Sequence, residues 1–186
     1  GNQFHKPDFH FGISSSNSAS YTSTPLNTPK WNNRTRISAI LGKTNIMSLG
    51  PTTTSGMDWN SMIGLTDRLK RDDYHRDYLL ITIGSYFGLR ISDLLSIKWK
   101  DVFEKDELII VESKTRKSRK IAINDKVKEA IHYCASESID RNQFVFANRW
   151  GGALSVSYIN RCLKVIFAKY SVRVQNPSSH TLRKTF

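Results

Sequence analysis

Residues 74–101 read YHRDYLLITIGSYFGLRISDLLSIKWKD, and the fold turns on how this stretch is read. Tyr78, Leu79, Ile81, Thr82, Ser85 and Tyr86 are close-packed and mostly apolar, so the spacing predicts a central helix over 74–87. A helix that is apolar on nearly every side belongs inside a domain. Gly88 stands where a left-handed residue commonly ends a helix. Ser92 and Asp93 suit the first turn of a short third helix, with Leu94, Leu95 and Ile97 facing the core and Trp99 following. Upstream, Asp58 or Asn60 is expected to cap a helix to about Lys70, with Met62, Ile63 and Leu69 inside. Asp72 or Asp73 is expected to cap the helix at 74.

Downstream the hydrophobic period changes. Glu107-Leu-Ile-Ile-Val-Glu112 and Arg119-Lys-Ile-Ala-Ile-Asn124 are both β-prone and flank the polar run Ser113–Ser118, which predicts a β-hairpin. Val102-Phe103 is expected to add a short third strand. Helical spacing then returns at Val127, Ala130, Ile131 and Cys134. Phe144-Val-Phe146 reads as a short extended piece and Trp150-Gly151-Gly152 as a turn. Ser155 or Ser157 is expected to cap a helix to about Lys169 with the stripe Ile159, Cys162, Leu163, Ile166 and Phe167, and a further helix starts at His180–Arg183. Helices, a small antiparallel sheet, then helices give an α+β fold that is mainly α.

Composition bounds the partners. The chain has 186 residues, room for one ordinary domain with a real core and a tail. Apolar residues make up 39%, low enough to place part of the chain outside the core. Residues 1–56 are rich in Ser, Thr, Asn and Pro and read as a flexible polar arm or linker; residues 57–186 read as the domain. The arm carries Lys6, Lys30, Arg34, Arg36 and Lys43 against the single acid Asp8, which suits a segment lying on DNA or a solvated linker equally. The net charge of +12 favours a polyanionic partner, but a solvated basic surface gives the same number, so the positions of the charges must decide. Cys134 and Cys162 have neither metal-ligand spacing nor a partner motif and read as buried thiols of a reducing compartment. No apolar run is long enough for a membrane span and no signal-peptide pattern opens the chain, so it reads as an intracellular protein without a membrane partner.

Four basic side chains are singled out by position. Arg90 stands at a helix entrance after a sharp turn, where helix-start amides and a guanidinium suit a phosphate. Read alone, it is as readily an arginine paired with Asp93 or Asp101. His180 and Arg183 share a helix face, a pairing suited to a phosphate whose charge rises in a transition state. The run Lys114-Thr-Arg-Lys-Ser-Arg-Lys120 puts five cations in seven residues at a hairpin tip. At most one of them is a movable proton donor; Arg116, Lys117, Arg119 and Lys120 read as DNA-backbone contacts.

Taken together, Gly88-Leu-Arg-Ile-Ser-Asp-Leu-Leu-Ser-Ile-Lys-Trp-Lys-Asp101, then Glu112-Ser-Lys-Thr-Arg-Lys-Ser-Arg-Lys-Ile-Ala-Ile123, then Val145-Phe-Ala and Gly152-Ala-Leu-Ser155, and last Ser179-His-Thr-Leu-Arg-Lys-Thr-Phe186, resemble the ordered motifs of tyrosine recombinases, the phage-integrase type, from about Trp59 onward. The resemblance implies a DNA-recombining catalytic domain, double-stranded DNA as partner, a homo-oligomer (a tetramer) on DNA, and chemistry without a metal or other cofactor. Arg90 and Arg183 resemble the phosphate-clamping arginines. Lys114 resembles the hairpin lysine that protonates the leaving 5′ oxygen, with Lys117 as competitor. His180 resembles the histidine of the His-x-x-Arg box, and Asp93 a structural acid that orients the site.

In that family the nucleophilic tyrosine and a second His or Trp lie well after the His-x-x-Arg box, whereas only Lys184, Thr185 and Phe186 follow Arg183 here. The residues given are therefore expected to hold a phosphate and not to attack it. The separate helical core-binding domain of the family is not legible in residues 1–56, so binding is expected to be weak and salt-dependent. The alternative is a recombinase-like module that binds DNA without chemistry. A single-strand or RNA binder would want aromatics on the hairpin, where Ile109, Val111, Ile121 and Ile123 stand instead.

Overall fold

A computed structural model describes residues 53–136 and 139–186. Residues 1–52, with the arm's basic residues and its prolines, lie outside the described residues. In chain order the elements are α1 (Trp59–Arg71), α2 (His75–Phe87), α3 (Ile91–Leu95), α4 (Trp99–Val102), β1 (Glu107–Val111), β2 (Ser118–Ala122), α5 (Asp125–Cys134), α6 (Val156–Lys169) and α7 (Ser179–Thr185). The fold is mainly helical with one antiparallel two-stranded sheet among the described residues. No described helix is long and apolar enough to cross a membrane.

Helix α2 is the core of the domain. Leu79, Leu80, Ile81, Thr82, Ile83, Gly84, Ser85 and Phe87 are all buried, and α1, α5 and α7 all pack on it. Helix α1 offers Met62, Leu65, Thr66 and Leu69, an i, i+3, i+4, i+7 stripe. Ile63, expected inside, lies about 100° around the helix from Met62 and is 40% exposed. The stripes expected of α5 and α6 are those that pack: Val127, Ala130 and Ile131, then Ile159, Cys162, Leu163, Ile166 and Phe167, are buried. Cys134 is half-buried and its thiol donates to the His75 carbonyl at 3.3 Å.

Caps follow local chemistry, with one correction. Asp58 accepts from Ser61 N–H and Ser155 from Tyr158 N–H, as side-chain oxygens at N-caps do. Neither Asp72 nor Asp73 caps α2; its N-cap is Tyr74, without a side-chain cap bond. Asp72 instead ends α1, and its carboxylate takes the Tyr170 hydroxyl at 2.6 Å. Asp73, with φ 60°, turns the chain between the two helices.

The expected strand at Val102-Phe103 is also corrected. Val102 closes α4 and Phe103 is its C-cap, with Phe103 N–H bonded to the Trp99 carbonyl at 2.8 Å. The Asp101 carboxylate accepts from Lys98 N–H at 2.9 Å and closes a helical turn that overrides the β preference of Val and Phe. The hairpin pairs Glu107 with Ala122 through Val111 with Ser118. Leu108 is buried while Ile109 and Val111 face out. The piece expected to be extended at Phe144-Val-Phe146 is instead a turn at 145–146 flanked by two isolated bridges, Lys98 with Phe144 and Ala147 with Ala153.

Gly88 ends α2 with φ 58° and ψ 25°. A Cβ at Gly88 would lie 2.7 Å from the Phe186 ring, and one at Gly84 would lie 2.8 Å from Leu182. Two glycines one turn apart therefore let α7 lie directly against the last turns of α2. The substitution Gly88→Ala is expected to cost about 2 kcal/mol, from the left-handed backbone and the Phe186 overlap together. It should appear as a lower urea midpoint than wild type; an unchanged midpoint would show that α7 does not rest on Gly88.

Candidate functional site

Arg90 is the N-cap of α3, in extended backbone, and its carbonyl accepts from the Asp93 and Leu94 amides. The helix has only five residues, so its dipole is small and the guanidinium supplies most of the positive field. Arg90 Nη1 donates to Glu112 Oε2 at 2.6 Å, and 26% of the side chain stays exposed. Glu112, directly after β1, is buried and also accepts from Thr115 Oγ1 at 2.8 Å and Arg119 Nη1 at 3.3 Å. The Arg90 hydrogen bond, with that of Thr115, holds the Glu112 carboxyl from its ordinary 4.5 down to about 2.

The acid that meets Arg90 is therefore neither Asp93 nor Asp101. Asp93 is buried, and its Oδ1 accepts from both the amide and the hydroxyl of Ser113. Its Oδ2 has no hydrogen-bond partner among the described residues. Glu112 was legible only as the last residue of a β-prone run; the signal that marks it is a single acid at the border of five cations.

The hairpin turn is tight. Glu112 N–H bonds to the Lys117 carbonyl and Arg116 N–H to the Glu112 carbonyl, with Arg116 at φ 56°. Of the expected DNA contacts, Arg119 pairs with Glu112 and Lys120 with Glu107 at 3.2 Å. The side chains of Lys114, Arg116 and Lys117 are exposed and make no hydrogen bond or ion pair with the described residues. Lys114 directly follows Ser113, the residue that Asp93 holds.

His180 and Arg183 lie on α7, His180 exposed and Arg183 half-buried. Ser178 caps the helix, and Asn160 of α6 accepts from Ser179 N–H at 2.8 Å. Thr54 and Met57 strap α7 from the other direction: Thr54 meets the Ser178 hydroxyl at 3.2 Å, and Met57 N–H donates to Thr185 Oγ1 at 3.0 Å. Leu182 packs at Gly84 and Phe186 at Gly88, two residues before Arg90. Hydrogen bonds join Arg90, Asp93 and the hairpin base into one unit. The His180–Arg183 segment reaches the same end of α2 by packing; among the described residues no hydrogen bond links it to Arg90 or Lys114.

Glu112 gives the site a pH signature. Its folded value lies below its unfolded one, so its contribution to stability is present above about 4.5 and is lost as pH falls toward about 2. Wild type is expected to be more stable than Glu112→Gln above that window, with the gap closing through it, in urea titrations of both proteins. A gap independent of pH would show that the Glu112 charge is not what the contacts stabilise.

The model of the phage integrase family matches residues 57–186. The chain is 38% identical over 112 residues to the probable integrase/recombinase YoeC of Bacillus subtilis, covering 60% of each. It is 28% identical over 114 residues to the tyrosine recombinase XerH of Campylobacter jejuni, covering 60% of this chain and 32% of that protein. It thus spans 60% and 32% of these relatives' lengths, less than two thirds of either. A crystal structure of the XerH site-specific recombinase bound to its difH substrate superposes with a TM-score of 0.54 at 20% identity, over 71% of this chain and 41% of that one, a likeness of fold. With the ordered motifs now seen on one helical fold, the family match over residues 57–186 makes the conclusion plain: this chain belongs to the phage integrase family, the tyrosine recombinases.

Proposed function

We propose that residues 57–186 form the phosphate-binding part of a tyrosine-recombinase catalytic domain acting on double-stranded DNA, with residues 1–56 a polar arm or linker. The observation that carries this reading is Arg90, held at the hairpin base with part of its side chain open to solvent, at the end of α2 on which the His180–Arg183 helix packs. The likeness to the XerH site-specific recombinase, solved bound to its difH substrate, supports this reading of the partner.

In the intact protein, a tyrosine oxygen attacks the scissile phosphorus and the 5′ oxygen leaves, giving a 3′-phosphotyrosyl bond that the reverse step rejoins. Charge builds on the non-bridging oxygens, where Arg90 and Arg183 act as the clamp. Lys114 protonates the leaving 5′ oxygen, its exposure on a turn letting it reach the duplex, and Lys117 is its competitor. His180 serves proton transfer and phosphate contact. Asp93 orients the site through Ser113. Arg116 and Lys117, with Arg119 and Lys120, follow the DNA backbone.

The attacking tyrosine in this reading lies outside the described residues, whose own tyrosines are engaged elsewhere. Tyr78 and Tyr170 are buried, Tyr158 takes a hydrogen bond from Arg76, Tyr133 stacks on His75, Tyr86 packs edge-on against Trp59, and Tyr74 lies under Lys169. These residues alone then bind DNA without cutting it, and the intact protein works as a homo-oligomer on DNA.

The test is duplex binding by fluorescence anisotropy across a salt series. Arg90→Ala and Arg183→Ala are each expected to weaken binding and to flatten the slope of log K against log[salt] by ~0.9, the value of one phosphate contact. Single-stranded DNA of the same sequence should bind more weakly than duplex. Wild-type affinity in both variants, or a preference for the single strand, would overturn the reading.

A further inference from the structure

Glu112 bonds Arg90, stands two residues before Lys114, and has no part in the reaction proposed above. A carboxylate beside a phosphate site repels the anion that the site must hold. Two arrangements are open to it. It can fill the seat of the phosphate and leave when DNA arrives, or it can hold the arginine from one side and leave the other side free. The geometry favours the second. Among the described residues only Nη1 of Arg90 is engaged, and a guanidinium carries five N–H donors in a planar fork, so one bond fixes the plane and leaves donors over. Glu112 is also only 7% exposed and closed in by two donors of its own hairpin, Thr115 and Arg119. Those donors keep the carboxylate in place whether or not Arg90 meets DNA.

We propose that Glu112 is a positioning residue: it orients the Arg90 guanidinium toward a DNA phosphate and, by bonding Thr115, sets the hairpin turn so that Lys114 is aimed at the same phosphate. This inference rests on the reading of Arg90 as a phosphate ligand. It makes the arginine motif and the hairpin lysine one mechanical unit, joined through a side chain two residues before Lys114.

The experiment is binding of labelled duplex DNA by wild type, Glu112→Gln, Arg90→Ala and the double variant. Glu112→Gln makes the chain one charge more positive, so long-range attraction alone would tighten binding. Positioning has the opposite sign. Glu112→Gln is expected to bind about as weakly as Arg90→Ala, with a salt slope flatter by ~0.9. The double variant is expected to bind no more weakly than Arg90→Ala, because the same contact is lost once. Glu112→Asp keeps the charge but draws it back by one methylene, and should weaken binding too. Circular dichroism and a urea midpoint check each fold; if Glu112→Gln does not fold, Glu112→Asp and Thr115→Val carry the same comparison. Equal or tighter binding by folded Glu112→Gln, while Arg90→Ala is weakened, would overturn the inference and leave Glu112 a mere counter-ion. Wild-type binding by Arg90→Ala would instead overturn the phosphate reading of Arg90, and the inference with it.

Discussion

The site depends on a close approach between two helices. Helix α7 meets the last turns of α2 where α2 has no side chains: Leu182 and Phe186 occupy the space that a Cβ at Gly84 or Gly88 would need. Gly88 does a second thing at the same place, since its left-handed backbone ends α2 and turns the chain into Arg90. The two basic motifs, far apart in the chain, thereby share one anchor. Each sits on a helix of seven residues or fewer, too short to be stable alone, so packing on the buried helix beneath them sets where they stand.

The acids of this basic chain are placed to hold its cations and its turns. Asp93 bonds the amide and hydroxyl of Ser113, and Glu112 bonds Thr115, Arg119 and Arg90. Both links fasten the base of the hairpin to the short helix that Arg90 begins. Beyond them Lys114, Arg116 and Lys117 are exposed on the turn. The outcome is a fixed base and a cationic tip, an arrangement in which a lysine can move onto a polyanion while the arginine behind it stays put. The charges on the tip repel one another and favour an anion between them.

Much of this was legible in one dimension. The stripes of α5 and α6, the glycine stop after α2 and the Ser155 cap follow from periodicity and local hydrogen bonding, which act over one or two turns. The misreadings have mixed causes. Ile63 was placed inside because it is apolar, although Leu65 and Thr66 complete the stripe that Met62 and Leu69 share. Val102-Phe103 looked like a strand by propensity, and one Asp101 hydrogen bond made it a helical turn. Asp72 looked like a cap and was taken by Tyr170, nearly a hundred residues away, at 2.6 Å. Only the last of these turned on a long-range partner; the other two put residue type ahead of the helix period and of a local capping bond.

What the sequence by itself determined is the inventory and its order: a buried helix, an arginine after a glycine, a cationic hairpin and a His-x-x-Arg box, enough to recognise the family. Those features are local or ordinal, so a linear reading captures them. Which acid meets Arg90 was decided only in three dimensions. Asp93 is nearer in sequence, but it lies inside α3, buried and committed to Ser113, while the hairpin brings Glu112 to the guanidinium. The pairing depends on how β1 leaves α4 and folds back beside α3. That path is set by packing of the whole domain, and no spacing along the chain records it.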